Sequence, residues 1–239
     1  MRSRPYGESD KIVTFLSLDF GKLTGIAKGA KNSRRRFANC LDPLTVVRVH
    51  FRTRLGATLA FMESCDLLVP PSALAEPSKL AYGSYLLELV DQLTDEAHPV
   101  PEVFNLLKDA LYELGEGPAT AAFLRVFELQ LLRHSGYDPQ LTTCSRCQRV
   151  LVGEQPAYYD PMQVSFVCGT CRQGRESLIE FSGVTLAALT EMKELSLQQA
   201  RGKRLRAPVV GEAAQLLGYL MAPHLPRPLR SVKLIAALG

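Results

Sequence analysis

The chain is organised around a basic stretch, Ala27-Lys28-Gly29-Ala30-Lys31-Asn32-Ser33-Arg34-Arg35-Arg36-Phe37. Five of the nine positions from Lys28 to Arg36 are cations. Period-two alternation before this stretch and a β-branched run at 44–51 after it predict a strand on each side. We therefore expect the cations on a loop between strands, where they suit a phosphate backbone and Phe37 suits base stacking. A solvated run of charges is the alternative interpretation.

The net charge of +4 over 239 residues is unevenly distributed. Twelve Lys/Arg and four Asp/Glu give residues 1–60 a net charge of +8, whereas four and thirteen give residues 61–139 a net charge of −9. Residues 140–180 balance, and eight cations against three acids give residues 181–239 a net charge of +5. A basic N-terminal region, an acidic central region and a basic C-terminal region predict separate modules with separate partners.

The composition is that of a globular chain, with 46% hydrophobic and 22% charged residues. The first ten residues lack the apolar core of a signal peptide, and no run of about 18 apolar residues is present. We therefore expect a soluble, cytoplasmic protein with no membrane partner.

Residues 1–72 are predicted to form a small β-barrel. Short strands are expected at 12–18, around Leu23, at 44–51 and at 57–62, with a turn over 52–56 and no long helix between them. Such a pattern fits an oligonucleotide-binding (OB) fold, and by pattern alone an SH3-like barrel fits nearly as well.

A boundary at Pro70-Pro71 separates the strands from a helical region. The apolar period predicts the following helices: Ser78 (N-cap) to Leu93, Val103–Leu114, Pro118–Ser135, a helix capped by Ser182, and Val209–Met221. The Pro118–Ser135 helix is apolar nearly all round, as expected for the centre of a bundle. We predict a helical domain over 73–140 and 180–239, interrupted by an insertion at 141–179.

The insertion carries two matching cysteine pairs, Cys144-Ser-Arg-Cys147 and Cys168-Gly-Thr-Cys171. Two CxxC pairs at this spacing are typical of a tetrahedral zinc site, and four thiolates leave no open position, so the zinc is expected to be structural. Disulfides and a redox pair are the alternatives, the first disfavoured in a cytosolic chain and the second without need of a matching copy. Cys40 and Cys65 are expected to stand alone as small buried residues.

No sequence motif for catalysis is visible. The chain has no GxxxxGK[ST], HExxH or GxSxG motif, and its four histidines are scattered. The sequence favours binding over catalysis. A zinc-dependent nucleic-acid-processing enzyme is the alternative class, although no fifth-ligand histidine or acid pair supports it. A second basic cluster, 201–206, is interpreted either as solvated surface or as part of a nucleic-acid track.

Several short motifs resemble those of the bacterial recombination mediator RecO family. They are Arg2-Ser-Arg-Pro-Tyr-Gly-Glu-Ser-Asp10, Gly21-Lys-Leu, Ala27-Lys-Gly-Ala30, Leu41-Asp-Pro-Leu44, Phe127-Glu-Leu-Gln-Leu-Leu132 with Gly136-Tyr137, the cysteine pairs, and Pro228-Leu-Arg-Ser231. The resemblance therefore covers nearly the whole chain.

This resemblance implies an α+β multidomain protein with an N-terminal OB barrel (1–72), a helical domain and a zinc-ribbon-like module that holds one zinc ion. It implies a non-enzymatic mediator of DNA repair in the RecF pathway. Such a protein binds single- and double-stranded DNA, anneals complementary strands and, with RecR, helps to load RecA onto strands coated by single-stranded-DNA-binding protein (SSB). We expect phosphates to be held by Lys28, Lys31, Arg34, Arg35 and Arg36, extended by Arg2, Arg4, Lys11 and Lys22.

The resemblance also implies docking of the acidic C-terminal tail of SSB. A terminal carboxylate beside a bulky apolar group needs an apolar pocket rimmed by guanidinium groups. Arg125 and Arg133, with Phe127 among the neighbouring apolar residues, are the candidates on the Pro118–Ser135 helix. The alternative interpretation is that Arg125 pairs with Glu128 and that Arg133 stabilises the helix C-terminus.

The chain departs from the family pattern at two places. Family members usually have a short extra stretch before Arg2, so we expect a truncated first strand and an exposed barrel edge. They often have Gly-Gly before the second cysteine pair, where this chain has Val164-Ser-Phe-Val167, so the backbone of that knuckle is expected to differ.

Overall fold

The computed structural model describes residues 2–53, 59–69, 71–151, 153, 155–174 and 177–237. Part of the predicted turn over 52–56, the start of the predicted strand at Ala57 and Pro70 of the predicted boundary lie outside these residues. The described chain forms two compact units, one of residues 1–116 with 229–239 and the other of residues 117–228. The sequence-based domain boundaries stay a prediction.

Five strands of the first unit form one sheet. They are β1 (Arg2–Tyr6), β2 (Asp10–Ser17), β3 (Gly21–Ala27), β4 (Val46–Arg52) and β5 (Ala60–Val69). Their order is β1-β2-β3-β5-β4, with β3 and β5 parallel and the other neighbours antiparallel. Strand-rich structure in this region is thus confirmed, and three of its strands, β2, β4 and β5, begin or end beyond the predicted limits.

The sheet is not closed into a barrel within the described residues, so the prediction of a closed barrel is wrong for this part of the chain. The physical reason is a missing ladder between the two edge strands. β1 pairs with β2 on one side, from Arg2 opposite Thr14 to Tyr6 opposite Asp10, and no described residue forms a ladder between its other side and β4. The two edges of the sheet therefore stay apart.

A hydrophobic core fills the inner face of this sheet. Its buried members are Val13, Phe15, Ala27, Ala30, Phe37, Cys40, Leu41, Met62 and Cys65. Alternate residues of each strand supply this face, as the period of two requires. Gly21 begins β3 with a φ of 67°, and a Cβ there would collide with the backbone of His98. The tight turn between β2 and β3 therefore requires glycine.

Cys40 and Cys65 form a disulfide, with their Cα atoms 6.2 Å apart. The prediction that both are buried is confirmed, but the prediction that they stand alone is wrong. The loop that follows the basic stretch brings Cys40 against β5, a contact between residues 25 positions apart that no local pattern reveals. The disulfide ties the end of that loop to the sheet.

Seven helices follow in the described chain. They are α1 (Pro77–Leu93), α2 (Pro101–Glu116), α3 (Ala121–His134), α4 (Gly183–Met192), α5 (Leu197–Arg201), α6 (Ala207–Met221) and α7 (Val232–Ala236). α1, α2 and α7 belong to the first unit, and α3 to α6 to the second. No helix in the described part of the chain is both long and apolar enough to cross a membrane.

The helix ends test two predicted caps and one predicted helix start. Ser78 does not cap α1, because Pro77 is already the first helical residue and starts the helix with its fixed φ. Thr120 caps α3 by accepting a hydrogen bond from the Phe123 N–H at 3.2 Å, so this helix begins after the predicted Pro118. The Ser182 cap is confirmed, since its hydroxyl accepts from the Thr185 N–H at 3.2 Å.

The second unit packs around α3, as its apolar sequence predicts. Ten of its residues are buried, from Ala122 to Leu132. The unit also holds a three-stranded antiparallel sheet of order β7-β6-β8, formed by β6 (Ala157–Asp160), β7 (Ser165–Cys168) and β8 (Ile179–Phe181). This small sheet carries the second cysteine pair at the end of β7.

Candidate nucleic-acid surface and metal centre

The basic loop, defined as residues 28–36, leaves β3 at Ala27 and contains a short 3-10 turn over Ala30–Asn32. Its five cations are all exposed, whereas Ala30 inside the loop is buried. The cations therefore project from a backbone that is itself packed against the sheet. This arrangement agrees with the predicted position between strands.

Hydrogen bonds anchor the loop to the β1–β2 hairpin. The Gly29 N–H donates to Asp10 Oδ1 at 2.8 Å, and the Lys31 N–H donates to the Ser9 carbonyl at 2.9 Å. The Lys31 ammonium donates to the carbonyls of Gly7 and Glu8 at 2.7 and 3.1 Å. Lys31 therefore serves partly as a structural cation.

The pKa of the Asp10 carboxyl is lowered from its ordinary value. The main cause is the hydrogen bond from the Gly29 N–H, followed by that from the Ser9 hydroxyl, and the charges of Lys28 and Lys31 act in the same direction. The carboxylate is therefore ionised at neutral pH, when its acceptor capacity holds the loop in place.

Arg36 also has a structural contact. Its guanidinium donates to the Lys28 carbonyl at 3.0 Å, and its own carbonyl accepts from the Cys65 N–H at 2.9 Å. By contrast, the side chains of Lys28, Arg34 and Arg35 form no ion pair or hydrogen bond with any residue that the structure describes. These three are the cations most available to a ligand.

Lys11, Lys31 and Arg34 line a common cavity of about 380 Å³ beside the loop. Ser33 and Asn39 add polar groups to its wall, and Asp42 adds a carboxylate. Three cations around a polar concavity favour an anionic group of the size of a phosphate. Lys11 is thus placed together with the loop, as expected.

The remaining predicted cations divide into two kinds. Arg4 is exposed on β1, close to the hairpin that anchors the loop. Lys22 is buried, and its ammonium donates to the carbonyls of Asp91 and Thr94 at 2.7 and 2.6 Å. The Arg2 guanidinium lies 3.1 Å from the Asp91 carboxylate. Lys22 and Arg2 thus stabilise the C-terminal end of α1, and we leave Lys22 out of the candidate surface.

Phe37 is only 4% exposed and belongs to the core of the sheet. The aromatic expected to stack on bases is therefore unavailable at this position. Tyr6, which sequence reasoning passed over, is 53% exposed at the end of β1, directly opposite Asp10. The only feature of the sequence that could have indicated an exposed aromatic here is that Tyr6 directly precedes Gly7, at the start of a turn.

The four cysteines of the insertion converge, with all their sulfur atoms within 4.8 Å of one another. The sulfurs of Cys147 and Cys168 lie 3.7 Å apart, close to the roughly 3.8 Å expected for thiolates on a tetrahedral zinc ion at about 2.3 Å. Cys144 and Cys168 are buried and Cys147 is exposed. The donor set fits a single tetrahedral metal ion.

Backbone N–H groups favour the thiolate form at two of these ligands. Burial raises the pKa of Cys144, but hydrogen bonds from the N–H groups of Cys147, Cys168 and Arg146 outweigh it and lower that pKa to about 6. The hydrogen bond from the Cys171 N–H is the main cause that lowers the pKa of Cys168. The two tight turns thus supply the donors that a metal-binding thiolate pair needs.

Aromatic side chains join the small sheet to the helices of the second unit. The rings of Tyr159 and Phe181 lie 6.0 and 6.4 Å from the ring of Tyr219 on α6. Phe166 packs between them, 5.3 Å from Tyr159. The cysteine segment is therefore fixed by packing on one side and by its cysteine cluster on the other.

The residues predicted for partner binding lie in different environments on α3. Arg125 is buried, and its guanidinium donates to Glu128 Oε1 at 2.8 Å, the pairing anticipated by the alternative interpretation. Phe127 is completely buried. Arg133 is partly exposed and lies 3.4 Å from Glu194 and 3.9 Å from Asp138. A peptide carboxylate that reached Arg125 would have to displace Glu128.

The second basic cluster is partly engaged as well. The ammonium of Lys203 donates to Glu191 at 2.5 Å, whereas Arg204 and Arg206 are exposed. This cluster belongs to the second unit and the basic loop to the first.

Comparisons with known proteins identify the chain as a whole. The family model "Recombination protein O N terminal" matches residues 1–70, and the model "Recombination protein O C terminal" matches residues 74–233. A "DNA repair protein RecO" from Anaeromyxobacter dehalogenans is 35% identical over all of this chain and 94% of its own length. Relatives of the same description from Myxococcus xanthus and Syntrophus aciditrophicus are 36% and 30% identical, over 100% and 98% of this chain and 95% and 92% of their own lengths. The chain belongs to the recombination protein O (RecO) family.

Proposed function

We propose that this protein is a DNA-repair mediator that acts by binding and annealing DNA, without catalysis. The observation that carries the proposal is the basic loop, which holds three exposed cations, Lys28, Arg34 and Arg35, without a partner among the described residues and on an anchored backbone. Such cations neutralise phosphates of any sequence and so bind single- and double-stranded DNA alike. Family membership supports a role in repair and recombination.

The five-stranded sheet is, in this proposal, a partly open barrel of the OB type over residues 1–72. The helical domain comprises 73–140 and 180–239, and the zinc-ribbon-like insertion comprises 141–179. OB folds are commonly only partly closed and bind oligonucleotides on strands 2 and 3 and on the neighbouring loops. The basic loop follows β3 and contacts the β1–β2 turn, and both features agree with such a surface.

Annealing follows physically from the same cations. A surface that holds two polyanions lowers the repulsion between them, and base pairing then supplies the free energy of duplex formation. Tyr6 offers an exposed ring on which a base of the single strand can stack. We propose that the protein, together with RecR, uses this activity to help load RecA onto SSB-coated strands in the cytoplasm, at the nucleoid.

The four cysteines are proposed to hold one structural zinc ion. A set of four cysteines fits zinc because it offers four soft thiolate ligands in a closed tetrahedron with no free position. The ion would hold the two tight turns together, where few apolar contacts are available. Residues Cys144, Cys147, Cys168 and Cys171 are its proposed ligands.

The proposed site for the acidic SSB tail on α3 rests on Arg133, with Arg125 and Phe127 behind it. Arg133 is the accessible member, and its present partners are exposed carboxylates that a ligand carboxylate can replace. A labelled tail peptide is therefore expected to lose affinity in Arg133→Ala more than in Arg52→Ala, which removes an exposed, ion-paired arginine outside α3. Equal affinities of wild type and Arg133→Ala would place the peptide elsewhere.

Annealing of two complementary labelled oligonucleotides tests the central proposal. Wild-type protein is expected to accelerate annealing without ATP, and the triple variant Lys28→Ala/Arg34→Ala/Arg35→Ala is expected to lose most of this acceleration. The matched control is Arg201→Ala/Arg204→Ala/Arg206→Ala, which removes three cations from the second cluster. A normal rate in the loop variant and a slow one in the control would transfer the activity to residues 201–206.

A further inference from the structure

Strand β4 has one unpaired edge. Residues Val46–Arg52 pair with β5 on one side, and no described residue forms a ladder with the other side. An unpaired strand edge offers a row of N–H and C=O groups to any extended chain that reaches it.

The register identifies the groups on this edge. The Cys65 N–H donates to the Arg36 carbonyl at 2.9 Å, so the peptide groups of Cys65 point away from β4. Cys65 lies directly opposite Val49, and this pair is therefore the non-hydrogen-bonded type, in which both residues turn their N–H and C=O outward. Val47, two positions away, does the same. Neither backbone has a hydrogen-bond partner among the described residues.

A groove of about 400 Å³ runs along this edge. One wall consists of residues 44–49 and Phe51, and the other comes from the end of β2 and from α2. The second wall is apolar and includes Phe15, Leu18, Phe104 and Leu107. A strand laid on β4 would thus place every second side chain against an apolar surface.

The polar groups of the groove are mainly cationic. Arg48 and Lys108 line it, against the single carboxylate of Asp19 among its lining residues. Arg48 is exposed and forms no ion pair with any described residue, and the Lys108 ammonium donates to Asn105 Oδ1 at 3.3 Å and lies 3.4 Å from the Asp109 carboxylate. Acidic side chains on the outward face of an added strand would meet these two cations.

We propose that the β4 edge and its groove bind an extended segment of a partner protein by strand addition, a segment in which apolar and acidic residues alternate. Its backbone pairs with Val47 and Val49, its apolar side chains enter the groove, and its carboxylates contact Arg48 and Lys108. The site belongs to the first unit and uses none of the residues proposed for DNA or for the SSB tail. The inference therefore stands independently of the proposed function.

The test uses the full chain and a fluorescein-labelled ten-residue peptide of alternating Val and Glu. Fluorescence anisotropy is expected to show saturable binding. The same peptide with every second backbone nitrogen methylated, on the face that would pair, is expected not to bind. Equal binding of both peptides, or no saturable binding of the first, would overturn the proposal.

Two variants locate the site. Val49→Pro removes the outward N–H without removing a bond to β5, and it is expected to weaken peptide binding about fivefold or more while DNA affinity is unchanged. Arg48→Glu is expected to weaken binding by a similar factor, whereas Arg204→Glu, the same charge change outside the groove, leaves it unaltered. If Val49→Pro does not fold, Arg48→Glu and the methylated peptide decide the question.

A dimer seen by sedimentation and abolished by Arg48→Glu or Val49→Pro would instead assign the edge to a second copy of the chain.

Discussion

The basic loop and the four-cysteine site represent two different ways in which side chains form a site. The loop presents its cations separately, with the backbone anchored through Asp10 and Ser9 and the charges left in solvent. The cysteines converge, with sulfur atoms within 4.8 Å of one another and two of the four residues buried. Removal of one cation leaves the others in place, whereas removal of one thiolate opens the whole coordination shell.

This difference predicts graded effects at the loop and all-or-none effects at the cysteines. Each phosphate contact contributes a roughly constant increment to the salt dependence of DNA binding. A structural zinc site with three ligands instead of four loses its closed tetrahedron and much of the folding free energy that it supplies. Variants at the two sites can therefore be compared by how their effects accumulate.

The largest expected effect is that of Cys168→Ser. Wild-type protein should contain about one zinc ion per chain, and the variant should contain none, because the apparent binding free energy of about 10–16 kcal/mol depends on the complete set. Metal analysis of freshly purified protein, with no chelator present, measures this. Cys40→Ser is the control, since it removes a cysteine of the disulfide and should leave the zinc content unchanged. Zinc-free wild type would contradict the assignment.

The buried Arg125 differs from the exposed cations of the basic loop. Its charge contributes to the stability of the fold and not to the electrostatic field at the protein surface. Arg125→Ala leaves the Glu128 carboxylate buried without this cation, and should lower the free energy of unfolding by about 3–5 kcal/mol. Urea denaturation followed by circular dichroism gives the value. Arg133→Ala, on the exposed part of the same helix, should cost about 1 kcal/mol or less. Similar losses in the two variants would mean that burial does not distinguish these arginines.

The basic loop should respond in proportion to the number of cations removed. Lys28→Ala/Arg34→Ala/Arg35→Ala should flatten the dependence of log K on log salt by up to about two units on single-stranded DNA, with each single variant contributing about one third. Fluorescence anisotropy with labelled oligonucleotides at several salt concentrations tests this. The loss should be alike for all sequences. An unchanged slope would identify the loop as a solvated surface.

The smallest effect concerns the anchor of the loop. Because the pKa of Asp10 is lower in the folded protein, its contribution to stability is complete above the unfolded pKa of about 3.9 and is lost as the pH falls through the folded value. Asp10→Asn should therefore lower the melting temperature slightly at pH 7, and the difference should shrink as the pH falls below about 3.9. Thermal unfolding across this range, compared with Asp19→Asn, checks the prediction. A difference that grows towards low pH would reverse the sign and refute it.

The sequence by itself determined the features that depend on short spacing. The two CxxC pairs predict a metal cluster because each tight turn brings its own two sulfurs together, and the structure brings all four within reach of one ion. The apolar run of α3 predicts its burial, and the cap at Ser182 is set by its own next three residues. Alternation before the basic stretch and the β-branched run after it likewise predict a loop between strands.

Tertiary structure alone decided which of the marked residues are available to a ligand. Lys22 and Arg34 are both cations in the sequence, yet the first is buried against the end of α1 and the second is in solvent. Phe37 lies in the core and Cys40 is bonded to Cys65, because the loop after Arg36 folds back onto β5. The open edge of β4 depends on which strand comes beside it. All of these outcomes depend on contacts between distant parts of the chain, whose free energies no local pattern encodes.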